Sequence, residues 1–274
     1  MSKIDWHAGF VPAMKLEFME NENDLIFEEE HPVDKRGNWI DLLIIKNTEN
    51  APLKSNLGAI FNRFNVVEYK SPDDTVTLGT FYKTLAYTGL YLKELHEYSK
   101  YGRQAFTMTI ISSRMPYRLI SQLNRDGITT KNTDVNGIIS IEGSVPFRAQ
   151  LIVTRLLSKD HLWLPLLTKN ATKENLQELA YNTSILSSPK YREYADKVAN
   201  TFLSANKDYI IKEMKEDALM CKAAEEIFKE VYKEEIAEKN AKLSEKDAEL
   251  SKKEAQIQKL KEQIAKLQAQ GAVL

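Results

Sequence analysis

Two apolar strand segments that carry charged side chains constrain this chain most. The run Trp39–Lys46 reads Trp-Ile-Asp-Leu-Leu-Ile-Ile-Lys, so one carboxylate, Asp41, lies inside an otherwise apolar strand. The next apolar strand ends in Glu68, Tyr69 and Lys70. Because side chains alternate between the two faces of a sheet, Glu68 and Lys70 point one way and Tyr69 the other. A carboxylate in such a strand is costly unless a cation or hydrogen-bond donor meets it, so the pattern predicts a polar site there.

The order of the predicted elements indicates an α/β fold with a mixed-sheet core. Apolar alternation and β-branched residues predict strands at residues 25–30, 39–46, 65–70, 105–111, 137–143 and 150–156, the last of which also reads as a helix. Helical spacing predicts helices at residues 6–20, 77–97, 116–124, 172–186, 190–203 and from about 208. Beyond about residue 172 the strand signals vanish.

The composition excludes several classes of protein. The formal net charge of -1 gives no overall positive field, so contact with nucleic acid requires a local basic patch. The single cysteine, Cys221, allows neither an intramolecular disulfide nor a cysteine-based zinc site, in keeping with a cytoplasmic location. Neither a signal peptide nor about eighteen consecutive apolar residues is present, so no membrane span is expected.

The last part of the chain has the pattern of a coiled coil. Within residues 229–270, apolar residues recur every seven positions, and the second heptad position is apolar only near the end. The apolar positions are Ile236, Leu243, Leu250, Ile257 and Ile264, joined by Leu260 and Leu267. Ten lysines against nine acidic residues argue against a basic arm that grips phosphates.

An isolated helix would leave this apolar stripe exposed to water. We interpret the segment as a parallel or antiparallel coiled coil that makes the protein a homo-oligomer. A single solvated helix and a helix that packs against another protein are the alternatives.

The strand residues have the chemistry of a divalent-cation site. Mg²⁺ prefers oxygen ligands and usually takes one or two carboxylates together with waters and substrate phosphate. Asp41 and Glu68 supply the carboxylates, and the backbone carbonyl of Tyr69 is a further candidate ligand. Lys70 would then lie beside the attacking water and stabilise the charge that develops on phosphorus. A short motif of this kind arises often by chance, and it gains specificity here because both halves lie on apolar strands.

The chain resembles the PD-(D/E)XK nuclease family in several stretches. These are Trp6-His7-Ala8-Gly9-Phe10, residues 40–46, the string Asn65-Val66-Val67-Glu68-Tyr69-Lys70-Ser71-Pro72, and Phe81-Tyr82-Lys83. Within that family it is most similar to the branch of recombination-promoting nucleases and transposase-like proteins. The resemblance covers roughly residues 1–160, and Ile40 replaces the proline that gives the family its name.

The resemblance implies a restriction-endonuclease-like core and metal-dependent cleavage of DNA. It places the catalytic residues at Asp41, Glu68 and Lys70, and the family's helix glutamate at Glu17. Glu20 and Glu28 compete with Glu17 for that role. We expect Mg²⁺ as the cofactor, with Mn²⁺ as a substitute, and three segments: a nuclease-like domain (residues 1–165), a helical extension (166–228) and the coiled-coil segment (229–270).

Four residues are candidates for DNA contact. Lys83 and Tyr87 are four positions apart on one predicted helix, where they would contact phosphate and support Lys70, or else be a solvated lysine and a core tyrosine. Arg114 and Arg118 flank the start of another helix, where arginines and backbone N–H groups can hold a phosphate. A plain solvated face is the alternative for the two arginines.

The sequence therefore predicts a Mg²⁺-dependent DNA endonuclease, linked to recombination or mobile elements and assembled through its tail. The alternative is a nuclease-fold module without catalysis that binds DNA or a partner and is held together by the coiled coil. An oligomeric scaffold whose function lies in the tail is the other rival.

Overall fold

The computed structural model describes residues 4–33, 37–47, 52–95 and 98–216, together with 244, 246 and 253. The chain divides into two units, residues 1–225 and 226–274. The predicted coiled-coil segment and Cys221 lie outside the described residues, apart from the three single positions. Within the described part of the chain, no helix has the length and apolar character needed to span a membrane.

Seven strands form one mixed sheet in the spatial order β1-β2-β3-β4-β7-β6-β5. Their bounds are β1 Leu25–Pro32, β2 Trp39–Lys46, β3 Phe64–Lys70, β4 Phe106–Ser112, β5 Ile128–Asn132, β6 Ile138–Gly143 and β7 Arg148–Val153. The central neighbours β3–β4 and β4–β7 are parallel, and the outer pairs are antiparallel. The central strands are buried along nearly their whole length, as parallel strands covered on both faces are.

Seven helices accompany the sheet in the described part of the chain. They are α1 Trp6–Glu17, α2 Leu78–Glu94, α3 Tyr98–Tyr101, α4 Tyr117–Arg125, α5 Lys173–Ile185, α6 Pro189–Ala205 and α7 Lys207–Glu216. The side chain of Thr77 accepts a hydrogen bond from the N–H of Thr80, and the side chain of Thr80 accepts one from the N–H of Thr77. These two bonds form a capping box at the start of α2. Asp5 caps α1 by accepting from the N–H of Ala8.

One face of the sheet, here called the α2 face, packs against α2 and α4. Met108 and Ile110 of β4 meet Phe81 of α2 and Leu119 of α4 in a buried apolar cluster. Val66 of β3 belongs to a second cluster on the same face. Burial of this apolar surface is the main source of stability for the sheet–helix layer.

The other face, here called the α1 face, lies under α1, which packs along α6. The two helices approach closely at Gly9, where a Cβ atom would lie 2.6 Å from Thr201 Oγ1. The side chain of Tyr69 projects to this face and stacks on Phe10 of α1, with ring centroids 4.2 Å apart. Through α6, the helical region after residue 172 therefore contacts the helix that covers this face of the sheet.

A buried asparagine fixes β3 between its neighbours. Asn65 is fully buried, and its amide nitrogen donates to the carbonyls of Ile44 and Asn62 at 2.9 and 2.7 Å. Its amide oxygen accepts from Thr107 Oγ1 at 2.7 Å and from the N–H of Asn62 at 2.8 Å. One side chain thereby ties β2, β3 and β4 together where the strands begin to pair.

The predicted α/β class with a mixed sheet is confirmed. Six of the seven strands have bounds within three residues of those expected from the sequence, and the segment at 150–156 is the strand Arg148–Val153 followed by a 3-10 turn. The strand β5, Ile-Thr-Thr-Lys-Asn, was not predicted, because four of its five residues are polar and only Ile128 is buried. Pairing with β6 places it in the sheet.

Candidate functional site

Asp41 and Glu68 come together because β2 and β3 are antiparallel neighbours. Leu42 pairs with Val67, so the same register places Asp41 opposite Glu68. Directly opposed side chains lie on one face with their Cβ atoms about 5 Å apart. The face is the α2 face, because Glu68 is beside Ile110 of β4. The residues that the sequence predicted on one side of the sheet are thus neighbours in space.

Glu68 is the centre of the charge cluster. Its side chain is only 2% exposed, and its Oε1 atom lies 2.9 Å from the Nζ atoms of both Lys70 and Lys83. Lys70 is on the same strand two residues later, whereas Lys83 reaches over from α2. Two ammonium groups at one carboxylate oxygen offset the cost of burying the charge of Glu68.

Asp41 completes the acidic pair. Its Oδ2 atom accepts a hydrogen bond from the backbone N–H of Tyr69 at 2.8 Å. Burial, and then the negative charge of Glu68, raise the pKa of the Asp41 carboxyl above its ordinary value. The Tyr69 amide, His7 and Lys83 act in the opposite direction and only partly offset the rise. Two carboxylates that disfavour each other's charge in a half-closed site are a physical indication of a cation site.

Lys83 is held in place by its own helix and by an aromatic ring. Its Nζ lies 5.1 Å from the centroid of the Tyr87 ring, and the Tyr87 hydroxyl donates to Asn38 Oδ1 at 3.1 Å. Burial acts to lower the pKa of Lys83, but the hydrogen bond to Glu68 and the charges of Glu68 and Asp41 outweigh it and raise the pKa. Lys83 is therefore a charged member of the site at neutral pH. The shared helix face predicted for Lys83 and Tyr87 is present.

Tyr69 contacts the site with its backbone and the opposite face of the sheet with its ring. Its backbone N–H binds Asp41 while its ring packs on the α1 face against Phe10 and, edge-on at 5.8 Å, against His7. Its hydroxyl finds no hydrogen-bond partner within the described residues, and burial raises its pKa. The start of α1 is also tied to the chain beyond Lys70, because Trp6 Nε1 donates to Asp73 Oδ2 at 2.9 Å.

The structure relates two further residues to Asp41: His7 by its charge and Glu30 by the strand register. The charge of His7 acts on Asp41 from the first turn of α1. In β1, Glu29 pairs with Leu42 and His31 with Ile40, so the intervening Glu30 is in register with Asp41. Glu30 has a φ of 45°, a left-handed conformation that is strained for a residue with a side chain. Only the strand register identifies Glu30, since its neighbours in sequence are also glutamates.

Glu17 makes a different set of contacts from Asp41 and Glu68. Its Oε1 atom accepts hydrogen bonds from the backbone N–H groups of Trp163 and Leu164 at 2.8 and 3.0 Å, and its Oε2 atom lies 3.2 Å from Nδ1 of His161. The side chain is only 3% exposed. Glu17 is ten residues beyond His7, which is about 15 Å along a helix. The structure does not bring it to the Asp41–Glu68 pair.

The two other glutamates considered for that role are also engaged elsewhere. Glu20 pairs with Lys54, its Oε2 atom 2.6 Å from the ammonium nitrogen. Glu28 of β1 pairs with His31 at 2.7 Å. Neither residue makes a contact with Asp41 or Glu68 in the described part of the chain.

The two arginines lie beyond the strand next to Lys70. Ser112, the last residue of β4, pairs with Lys70, and Arg114 follows two residues later. Arg114 is exposed, and its Nη2 donates to the Pro72 carbonyl at 3.1 Å. Arg118 is exposed on the first turn of α4. Both cations are therefore at the edge of the sheet where β3 and β4 end.

The donor set fits a hard divalent cation. No three His, Cys, Asp or Glu side chains in the described segments gather into a metal-binding group. Mg²⁺ needs only one or two carboxylates when waters and substrate phosphate complete its octahedron, and two carboxylates are what Asp41 and Glu68 provide. Asp41 Oδ1 and Glu68 Oε2 make no hydrogen bond to another described residue, so each acid keeps an oxygen for a ligand.

Comparison of the chain with protein-family models, with curated proteins and with solved structures finds no match. The geometry and chemistry of the site itself are therefore what indicate a function.

Proposed function

We propose that the protein is a Mg²⁺-dependent DNA endonuclease with the restriction-endonuclease-like core of the PD-(D/E)XK family. The observation that carries the proposal is the cluster at the ends of β2 and β3. Asp41 is in register with Glu68, and the ammonium groups of Lys70 and Lys83 lie 2.9 Å from one oxygen of Glu68. Two acids with two amines at a strand end are the groups that phosphodiester hydrolysis by a metal-activated water requires.

Asp41, Glu68 and the carbonyl of Tyr69 would hold the cation, Mg²⁺ or Mn²⁺. When bound, the cation lowers the pKa of a coordinated water and offsets negative charge on the phosphate. Lys70 lies beside the acids and is positioned to stabilise the charge that develops on phosphorus. The backbone N–H of Tyr69 orients the Asp41 carboxylate by donating a 2.8 Å hydrogen bond to its Oδ2 atom.

The surrounding charges favour a nucleic-acid backbone as the substrate. Lys83 remains charged beside the acids, and Arg114 and Arg118 extend the positive groups along the sheet edge beyond Ser112. Phosphate contacts from lysine and arginine supply most of the affinity for a nucleic-acid backbone. The net charge of -1 means that this affinity comes from the local patch.

The heptad pattern of residues 229–270 supports a homo-oligomer. Two copies would present two sites, one for each strand of a duplex or for two positions on one strand. A role in recombination or in mobile elements follows only from the family resemblance.

One observation also favours a module that binds DNA without cleaving it. The two ammonium groups already neutralise Glu68 without a metal ion, as in an internal ion-pair network. In that case the cluster would stabilise the fold, and divalent cations would have no effect on DNA integrity.

The test is nicking of supercoiled plasmid by the purified full chain in Mg²⁺ or Mn²⁺ and in EDTA. We expect cleavage only with the metal, and a loss of roughly 10²–10³-fold or more in Asp41→Asn, Glu68→Gln and Lys70→Ala. Asp208→Asn and Lys159→Ala are matched controls at exposed positions and should cleave normally. Full cleavage by Asp41→Asn, or a wild-type chain that is inert with both metals, would reject the proposal.

A further inference from the structure

A cavity of about 320 Å³ opens beside the turn between β5 and β6. Its apolar wall includes Met115, Ile138, Ile139 and Leu156, of which Leu156 is 48% exposed. The volume is within the range of small-molecule and base-binding pockets, which are mostly apolar with a few polar groups. A half-exposed leucine at its rim leaves apolar surface available to a ligand.

The cavity lies on the same sheet face as the charge cluster. Met115 and Ile139 pack in the apolar cluster of the α2 face, the face that carries Glu68 and Lys70. Lys70 is paired with Ser112 on the adjacent strand, and Met115 follows Ser112 by three residues. Adjacent strands are about 4.8 Å apart and three residues span at most about 10 Å, so the cavity begins within about 15 Å of Lys70.

The polar groups at the rim match the edge of a nucleobase. Asn132 and Asn136 line the cavity, are exposed, and make no side-chain hydrogen bond to another described residue. An amide offers a donor and an acceptor side by side, which is the pattern that pairs with the edge of a base. An apolar wall with a free amide rim suits a planar, partly polar ring better than it suits a phosphate.

The cavity is preformed by a tight turn. Gly137 has a φ of 81°, and a Cβ atom there would lie 2.8 Å from the Val153 carbonyl oxygen and from the Leu157 nitrogen. The N–H of Val153 donates to the Gly137 carbonyl at 2.7 Å. The turn is therefore held against the end of β7, and a bound ring would require little ordering of the protein.

An exposed aromatic ring and two cations flank Met115, a residue of the cavity wall, in sequence. Tyr117 is 76% exposed at the first position of α4, and Arg114 and Arg118 flank it. Burying an aromatic ring against a base is favourable for every base, because each has a π face. The arginines supply the phosphate contacts that accompany such stacking.

We propose that this cavity is a nucleobase subsite and that the strand presented to Glu68 and Lys70 is unpaired. One base enters the cavity beside Met115 while a neighbouring base stacks on Tyr117. A base-paired strand cannot occupy the cavity without extruding a base, because both faces of its bases are covered. The inference rests on the proposed DNA endonuclease, for which it names single-stranded or locally unpaired DNA as the substrate class.

The experiment measures binding by fluorescence anisotropy to the full chain in EDTA, where no cleavage occurs. The probes are an oligothymidylate of about 16 nucleotides, the same strand as a duplex, and a phosphodiester chain of equal length without bases. We expect the oligothymidylate to bind about fivefold or more tightly than either of the others. Leu156→Gln and Tyr117→Ala should remove most of that preference and leave binding of the base-free chain unchanged.

Matched controls are Ile185→Gln and Tyr181→Ala, which change exposed apolar and aromatic residues of α5. They should retain the preference of the wild type. Equal affinity of the wild type for the oligothymidylate and the base-free chain, or a preference for duplex, would overturn the subsite, as would full preference in both cavity variants.

The failure of the subsite and that of the nuclease are distinguishable. If the wild type nicks plasmid but shows no preference for the oligothymidylate, the subsite alone is rejected. A base preference without any metal-dependent cleavage would reject the nuclease and retain the subsite in a binding module.

Discussion

At the scale of single residues, Asp41 is the least favourably placed ionised group of the site. Burial and the charge of Glu68 raise its pKa, so the protonated form is favoured in the fold. Below the ordinary carboxyl pKa of about 3.9, folded and unfolded chains both carry the proton and the group has no effect on stability. Above the raised pKa, Asp41 is ionised in the folded and in the unfolded chain. Only the folded chain then has the unfavourable free energy of burying this charge beside Glu68.

Asp41→Asn should therefore stabilise the metal-free protein at neutral pH. We expect a gain in the free energy of unfolding of about 0.5–2 kcal/mol, the usual range for relief of an unfavourable site. The gain should vanish as the pH falls below about 3.9. Urea denaturation in EDTA at the two pH values measures both. A lower stability of Asp41→Asn at neutral pH would mean that the Asp41 carboxylate stabilises the fold through favourable contacts, and would argue against its role as a cation ligand.

Lys83 should contribute to catalysis through its charge at Glu68. Lys83→Gln removes one of the two ammonium groups 2.9 Å from Glu68 Oε1, and we expect a fall in the nicking rate of roughly 10–10²-fold. Lys93→Gln changes an exposed lysine of the same helix and serves as the control. Unchanged nicking by Lys83→Gln would confine Lys83 to packing against Tyr87.

The shared face of Glu68 and Lys70 was predictable from strand alternation, and the remaining geometry of the site was not. Period-two patterning places Glu68 and Lys70 on one face without knowledge of the fold. The register that sets Asp41 opposite Glu68, and the reach of Lys83 from α2, require the packed structure. The role of Glu17 could not be assigned from the sequence. A glutamate on a helix gives the same sequence pattern whether it binds a cation or accepts hydrogen bonds from buried backbone N–H groups.

At the scale of elements, Glu17 connects α1 to the 3-10 helix Leu164–Leu166. It accepts the backbone hydrogen bonds of Trp163 and Leu164, two of the donors that the start of that helix leaves unpaired. Hydrogen bonds to a charged group contribute about 1.5–3 kcal/mol each.

Glu17→Ala should lower the free energy of unfolding by about 3 kcal/mol. Glu17→Gln keeps an acceptor oxygen and should lose less stability while retaining most of the nicking activity. Glu193→Ala on the exposed side of α6 is the control for denaturation. A Glu17→Gln variant with native stability and no cleavage would instead show that the carboxylate acts in the reaction.

Asn65 connects strands in the way that Glu17 connects helices, through buried hydrogen bonds from one side chain. Asn65→Ala would leave Thr107, the Ile44 carbonyl and backbone groups of Asn62 without their partner in the core. We expect a loss of about 2–4 kcal/mol in the free energy of unfolding, since each unpaired buried group costs about 1–3 kcal/mol and some relax. Asn124→Ala at an exposed position should be nearly neutral. A similarly small effect of Asn65→Ala would show that the strands align without it.

Elements with a strong apolar pattern were predictable, and a polar edge strand was not. Trp39–Lys46 was predicted with its observed bounds, because six of its eight residues are apolar and most of them must be buried. The strand β5 has no such pattern, and it exists because β6 offers it backbone partners.

At the scale of the whole molecule, the spatial order of the strands was beyond sequence patterning. Placement of β7 between β4 and β6 brings residues far apart in sequence together, as Gln150 Nε2 donating to the Leu57 carbonyl at 2.8 Å illustrates. The periodicity of a strand specifies its faces and not its neighbours. The sequence therefore predicted the fold class and left the topology open.

The heptad pattern of residues 229–270 predicts that this segment joins copies of the whole molecule. Deletion of residues 230–274 should lower the mass in solution toward that of a monomer, because the apolar stripe that joins the copies is removed. Light scattering after size exclusion measures the mass of the full and truncated chains. An unchanged mass in the truncated chain would place the assembly contact within the preceding residues, and a monomeric full chain would leave a solvated helix or a separate partner for the tail.

The strained backbone of β1 has a consequence for how copies of the molecule can meet. This outermost strand carries Glu28, Glu29 and Glu30 in succession, and the last of them has the left-handed φ of 45°. An approaching strand would meet charged side chains and a residue with a left-handed backbone, both of which oppose the edge-to-edge growth that leads to fibres. Polymerisation by sheet extension is therefore discouraged at this border of the fold.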